Sequence, residues 1–284
     1  EKAGHEVRLL DLCFERRTAR ALARAVREFD PGLVGVGIRN MDNCDYYYPK
    51  NFVPEAKRVV AEIRSATKAP VVIGGSAVSV LPREMYEAIG ADWAVVGDGE
   101  LAVVELAKTV EEKRDPSGIV GVVSRGEAGV RVNPQNRVPA LDVNTPPRMW
   151  RWVDPRRYMK FEGVYPLQSK RGCSLKCIYC TYTNIEGKSF RMKSGEEMAK
   201  EIEEIIERSG VRDFEFVDST FNVPESHALK TTSSVPCRFS SEASKPVSKP
   251  SSSTALVICG AWFAPASAIP QRTSGFSQSS RGKD

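Results

Sequence analysis

The chain has 284 residues, 41% of them hydrophobic, which is enough for one large domain or two of ordinary size, and two is the expected number. Its 41 basic and 36 acidic residues leave a formal charge of +5, too small and too dispersed an excess to predict a nucleic-acid groove. Of the seven cysteines, three crowd into one loop while Cys13, Cys44, Cys237 and Cys259 are scattered, which excludes a disulfide framework. No charged-then-apolar signal segment opens the sequence. The longest apolar run, Leu256 to Ile269, is interrupted by Gly260 and Pro265 and is too short to span a bilayer, so a reducing cytoplasm is the expected setting.

The chain opens on Glu1 and AGHEVRLLDL, which reads as a start in mid-domain. From residue 6 to 113, short β-branched runs alternate with one-sided helical patterns, the arrangement that gives a parallel sheet covered on both faces. The expected strands are Val7–Leu12, Leu33–Ile38, Val71–Ile73 and Trp93–Val96. The expected helices are Thr18–Phe29, Pro54–Thr67, Pro82–Ile89 and Leu101–Lys113, where apolar residues recur three or four apart. This is an α/β, doubly wound unit.

Ligands of such sheets sit beyond the carboxyl ends of the strands, so the residues following each strand are the informative ones. They are Arg39-Asn40-Met41-Asp42-Asn43, Gly74-Gly75-Ser76 and Gly97-Asp98-Gly99-Glu100. Any one glycine pair is explained as punctuation between strand and helix. Three such loops on one rim favour a ligand, whose approach to the backbone glycine permits. Neither G-x-G-x-x-G nor G-x-x-x-x-G-K-[ST] occurs, so a dinucleotide or triphosphate is unsupported.

Residues 117 to 157 read as a hairpin, Ile119–Ser124 with Val130–Val132, and a proline-bearing connector, NPQNRVPALDVNTPPRMW, anchored by Trp150 and Trp152. A second domain spans 158 to 230. It has a strand at Val164–Ser169, a long loop at Arg171–Lys188, a helix at Gly195–Ser209 with Ser194 as its cap and Gly210 after its end, and a strand at Phe214–Val217. After about Lys230 the text turns to Ser, Thr, Pro and Ala, with Glu242 and Asp284 its only acids. No helical or strand period survives from 231 to 284, and a shift out of the reading frame explains that change better than a natural linker does.

Cys173, Cys177 and Cys180 follow the 164–169 strand with the spacing C-x3-C-x2-C. Thiolates are soft ligands suited to iron–sulfur clusters, and three of them hold three irons of a four-iron cube while leaving the fourth open. Zinc is the competing reading. It wants a fourth protein ligand, and the two histidines, His5 and His227, are distant in sequence, although His227 could fold back.

With Tyr179 as an aromatic before the last cysteine, CSLKCIYC after the first strand of a βα barrel resembles the radical S-adenosylmethionine enzymes. AGHEVRLLDL, PGLVGVGIRN, VVIGGSAVSVLP and GADWAVVGDGE resemble the cobalamin-binding members of that family, and the likeness covers residues 1 to 227. The resemblance implies a [4Fe-4S] cluster on Cys173, Cys177 and Cys180, with S-adenosylmethionine chelating the free iron beside Tyr179. One electron, from a donor such as flavodoxin or ferredoxin, then yields a 5′-deoxyadenosyl radical. It further implies hydrogen abstraction from an unactivated carbon of a small molecule, and methyl transfer from methylcobalamin. Arg39, Asn40, Gly74, Gly75, Ser76, Gly97, Gly99 and Glu100 would then line the cobalamin site. FEFVDSTFNV resembles the second barrel strand, where Asp218 would meet the amino group of S-adenosylmethionine, although an aspartate there also serves as a turn residue. No residue is assigned a catalytic role.

The sequence departs from this pattern in places. The cobalt-ligating D-x-H-x-x-G is absent, and His5 reads as structural. The first strand of the front sheet, central in the order 2-1-3-4-5, is expected to be missing, which strips backbone partners from its neighbours. The barrel is expected to be incomplete, and the chain as written not catalytically competent. Two other readings stand beside this one. A transfer-RNA methylthiotransferase would need three cysteines in the front domain, where only Cys13 and Cys44 occur, and a non-enzymatic carrier would hold cobalamin or a structural zinc.

Overall fold

The computed structural model describes residues 1, 3–135, 148–160 and 164–234, together with the backbone of 254–260. The connector segment 136–147 and Cys237 lie outside the described residues, as does the side chain of Cys259.

The front of the chain alternates strand and helix as its periodicity predicts. The elements are β1 (Glu6–Asp11), α1 (Thr18–Phe29), β2 (Leu33–Ile38), α2 (Val53–Ala66), β3 (Val71–Gly74), α3 (Ser76–Val80), α4 (Pro82–Ile89), β4 (Trp93–Val95) and α5 (Gly99–Glu111). The expected strands and long helices are all present within a residue or two at most ends, and α3 is a short addition that the sequence does not announce. The helix α1 ends where Asp30 enters the left-handed region at φ 46°, and α4 ends at Gly90 with φ 74°.

Two strands, β5 (Val122–Gly126) and β6 (Gly129–Val132), continue the same sheet. They form the expected hairpin, but β5 pairs antiparallel with β4, placing Ala94 opposite Val123. The hairpin read with the connector is thus the edge of the front sheet. Val122 and Val123 are fully buried there, one in each of the two core layers that cover the sheet.

The central position corrects the sequence reading. Strand β11 (Thr254–Gly260) lies between β1 and β2 and runs parallel to both, with Leu256 level with Arg8 on one side and Val34 on the other. The sheet order is β1-β11-β2-β3-β4-β5-β6. The tail therefore contains a strand where none was expected, and the neighbours predicted to lack partners are paired. The physical reason is that β1 and β2 each present a row of backbone donors and acceptors that must be satisfied. The run TALVICG is the apolar, partly β-branched stretch of the tail able to do so.

Alternation along the strands sorts the core into two layers. Val34, Val36, Ile38, Val71 and Ile73 pack against Leu22, Val26, Val59, Val60, Ile63 and Val78 on one face. Leu33, Val72 and Val95 pack with Ala102, Leu106 and Val122 on the other.

The remainder comprises α6 (Pro155–Met159), β7 (Tyr165–Leu167), β8 (Lys170–Arg171), α7 (Tyr182–Glu186), β9 (Arg191–Met192), α8 (Gly195–Ser209), β10 (Phe214–Phe216) and α9 (Glu225–Ser234). Strands β7 and β10 pair in parallel across α8, the expected βαβ unit. Ser194 and Glu197 form a reciprocal capping box at the start of α8, and Gly210 closes it at φ 73°. Its buried stripe, Met198, Ile202 and Ile205, packs on Tyr165 and Leu167. Helix α9 runs past residue 230, and Thr231 is fully buried, so ordered structure continues beyond the expected boundary of the tail. Among the described residues, no helix is long and apolar enough to cross a membrane.

Candidate functional site

The site begins with an alternation inside β2. In LVGVGI the valines and Ile38 face α1 and α2, so Gly35 and Gly37 share the opposite face with Leu33; Gly74 of β3 shares it with Val72. Three positions without side chains leave a groove of about 480 Å³ along that face. It runs from Leu33, Val72 and Val95, past Val103 of α5, to the rim. There it is lined by Gly74, Gly75, Ser76, Gly97, Gly99 and Glu100, six of the eight residues expected at a cofactor site.

The other two, Arg39 and Asn40, are exposed on the rim and do not line the groove. Arg39 is tied to it through its carbonyl, which accepts from the Ser76 hydroxyl at 2.6 Å. Gly75 serves packing more than a ligand: at φ 107°, a Cβ there would stand 2.4 Å from the Ile38 carbonyl oxygen. A Cβ at Gly74 or Gly99 would meet nothing closer than 3.6 Å. Ser79 bridges the two glycine loops, donating to the Gly75 carbonyl at 3.1 Å and accepting from the Gly97 amide at 3.0 Å.

The far wall of the groove comes from the second unit, through Gln168, Arg171, Ile185 and Glu186. These flank the cysteine loop, and α7 packs on α3. Gly172 directly precedes Cys173 at φ 88°, and a Cβ there would lie 2.1 Å from the Ser189 carbonyl oxygen. Its amide donates to Glu186 Oε2 at 3.0 Å, and Gln168 Nε2 donates to the other oxygen of that carboxylate at 2.7 Å. Cys173 is buried and its amide donates to the Gly187 carbonyl, while Cys177, Cys180 and Tyr179 are exposed.

Charge joins the two halves. Asp98 is buried, and its carboxylate meets the Arg191 guanidinium directly and Arg171 at 3.4 Å; Arg171 also reaches Glu100 at 2.5 Å.

Residues 1–107 match the family model for the B12 binding domain. Across 87% of its length the chain is 29% identical to the tryptophan 2-C-methyltransferase of Streptomyces laurentii. It superposes, with a TM-score of 0.70 and 31% identity over 80% of its length, on a radical S-adenosylmethionine methyltransferase, TsrM from Kitasatospora setae, solved with cobalamin and a [4Fe-4S] cluster bound. Residues 1–107 thus carry a B12 binding domain, and the chain as a whole is similar to cobalamin-dependent radical S-adenosylmethionine methyltransferases. It spans 49% of the Streptomyces enzyme and 44% of the solved TsrM chain. The cobalamin-dependent radical enzyme OxsB shares the fold, with a TM-score of 0.61 at 16% identity over 82% of this chain and 37% of its own.

The groove offers a glycine-lined wall with room where side chains would stand, which fits a bulky cofactor. At the cysteine loop the donor set is three soft thiolates, as a cluster with one open iron needs. The sulfurs are not gathered: among the described residues no three metal-ligating side chains stand close enough to hold an ion. His227 pairs with Ser169. Its Nε2 lies 3.0 Å from the Ser169 hydroxyl, and the ring joins no group of three metal-ligating side chains among the described residues.

Asp218 is placed at the end of β10, as expected, and its carboxylate faces inward. It accepts from the Ser169 and Lys170 amides at 2.9 and 3.0 Å and from the Ser169 hydroxyl at 2.6 Å. It thereby fixes the strand that leads into Cys173. Lys170 is almost wholly buried. Its ammonium donates to the Phe221 carbonyl at 2.8 Å and faces the rings of Phe190 and Phe221. Burial pushes the ammonium below its ordinary pKa, opposed by the nearby charges of Asp218 and Cys173.

Sequence reasoning did not single out Gly35, Gly37, Arg171, Arg191 or Lys170. The V-G-V-G alternation in β2 was a signal for the first two. The charged residues carry none, since their partners lie far along the chain.

Proposed function

We propose that this chain is the cobalamin- and cluster-binding portion of a radical S-adenosylmethionine methyltransferase acting on carbon. The observation that carries the reading is that one groove is walled on one side by the glycine loops of the B12 domain and on the other by Arg171, two residues before Cys173. Two cofactor sites that share a wall suit a reaction in which both cofactors serve one substrate. In this reading cobalamin lies against Gly74, Gly75, Ser76, Gly97, Gly99 and Glu100, with Arg39 and Asn40 at its rim. Cys173, Cys177 and Cys180 hold the [4Fe-4S] cluster, and Tyr179 and Asp218 flank S-adenosylmethionine. The cluster would supply one-electron cleavage of the sulfonium and cobalamin the methyl group. The chain's own residues bind and orient: Gly172 lets the loop pass close to Ser189, and Asp218 holds the strand before it. The first strand of the family's front sheet would be replaced in its slot by β11, and β7 with β10 would be the opening strands of the barrel.

The tryptophan 2-C-methyltransferase likeness supports methyl transfer to a carbon of a small molecule; an electron donor such as flavodoxin or ferredoxin would serve the cluster. Anaerobic reconstitution with iron, sulfide and hydroxocobalamin tests the reading. A brown protein with about four irons per chain and a cobalamin absorbance that survives desalting are expected. A colourless protein that retains zinc would reject it in favour of a structural metal loop.

A further inference from the structure

Arg171 and Arg191 stand directly opposite each other in the β8–β9 pairing, at the root of the loop that carries all three cysteines. Each strand of that pair is two residues long. So short a ladder has little stability of its own, and like charges placed across it repel. Asp98, a carboxylate from the other domain, lies between the guanidiniums, and Glu100, next but one along the chain, also takes Arg171, at 2.5 Å. Asp98 Oδ1 accepts from Arg171 at 3.4 Å and from Arg191 Nη2 at 3.4 Å, and Oδ2 meets Arg191 Nη1. The Asp98 side chain is 4% exposed and that of Arg191 9%, so water screens the pair poorly. Arg191 also donates to the Glu186 carbonyl at 2.6 Å, which extends the hold to the end of α7.

Asp98 belongs at the same time to the Gly97–Glu100 loop that lines the groove. One carboxylate is therefore common to the groove wall and the root of the cysteine loop. We propose that Asp98 is a positioning residue that holds the β8–β9 root closed by bridging Arg171 and Arg191, so that a ligand in the groove orders the cysteine loop through it. The second clause rests on the cobalamin reading given above, and the first does not.

The test is hydrogen exchange on the full chain. Asp98→Asn should raise exchange at residues 171–173 and 191–193 by about tenfold or more, with β2 and β3 unchanged. Unchanged exchange at the loop root would overturn the proposal. If Asp98→Asn loosens the whole chain, the double variant Asp98→Asn/Arg191→Gln decides. Relief of repulsion predicts recovered protection at 171–173, whereas a carboxylate that only braces its own loop predicts no recovery and sinks the idea. Hydroxocobalamin is the probe for the coupling. At concentrations that saturate each protein, it should slow exchange at 171–173 in the unaltered chain and not in Asp98→Asn. Equal slowing in both overturns the coupling, and failure of the unaltered chain to bind hydroxocobalamin counts against the cofactor reading while the unliganded comparison still judges the clamp.

Discussion

The hydroxyl of Ser169 lies 3.0 Å from Nε2 of His227, and because that hydroxyl already donates its proton to Asp218, the imidazole must be the donor in this pair. Nε2 therefore carries a proton, and burial together with the charge of Lys170 holds the ring pKa below its ordinary 6.5. The neutral Nε2–H tautomer is the form that the fold prefers.

A pH dependence follows. The folded pKa is depressed, so below 6.5 the unfolded chain binds a proton that the folded chain does not. The stability tied to His227 is full above 6.5, begins to be lost as the pH falls below it, and is gone once the pH passes the folded value. Urea midpoints measured from pH 7 to 5 should fall in the unaltered chain. They should fall less in His227→Gln, whose amide keeps a donor for Ser169.

Asp218 satisfies two backbone amides and one hydroxyl at the end of β7. Asp218→Ala leaves them without an acceptor and is expected to cost about 2–4 kcal/mol in chemical denaturation. Iron retention after reconstitution should fall in step. Loss of S-adenosylmethionine affinity at unchanged stability would instead mark a direct contact with the substrate.

Gly172→Ala sets a Cβ against the Ser189 carbonyl oxygen at a positive φ. Backbone must move, at an expected cost of about 2–4 kcal/mol. Gly210→Ala, at φ 73° with no atom within 4 Å, is the control and should cost about 1 kcal/mol. Thermal melts of the two variants make the comparison.

Gly74→Val tests the groove. The added Cβ would make ordinary contacts with Val95, so stability should change by no more than about 1 kcal/mol. The side chain would occupy space that a ligand needs, and hydroxocobalamin affinity, followed by absorbance titration, should weaken by about tenfold or more. Unchanged affinity would move the cobalamin site away from this wall.

Lys193 and Glu201 form an ion pair at 2.5 Å, each 8% exposed. Glu201→Leu alone strands a buried ammonium and should cost about 3–5 kcal/mol. The double variant Lys193→Met/Glu201→Leu should recover most of that loss, as measured by denaturant midpoint.

Much of the fold was legible because its signals are local. The strand periods, the one-sided helices, the Ser194 and Glu197 box and the C-x3-C-x2-C spacing can each be read within a window of some twenty residues or fewer. The glycine loops on the rim were visible for the same reason, and so were the residues following each strand that line the groove. The loop helix α7 and the short ladder of β8 and β9 were not, since elements of two to five residues leave too few positions for a period to show.

Sequence alone thus determined the longer strands and helices between residues 6 and 216, and that three sulfurs lie on one loop, because backbone preference and hydrophobic alternation act between near neighbours. Tertiary structure alone decided that Thr254–Gly260 pairs with β1 and β2, and that Asp98 meets arginines 73 and 93 positions away. Backbone hydrogen bonds are nearly the same for every residue type, and a charged side chain takes whichever partner folding delivers, so neither choice is written in the order of the residues.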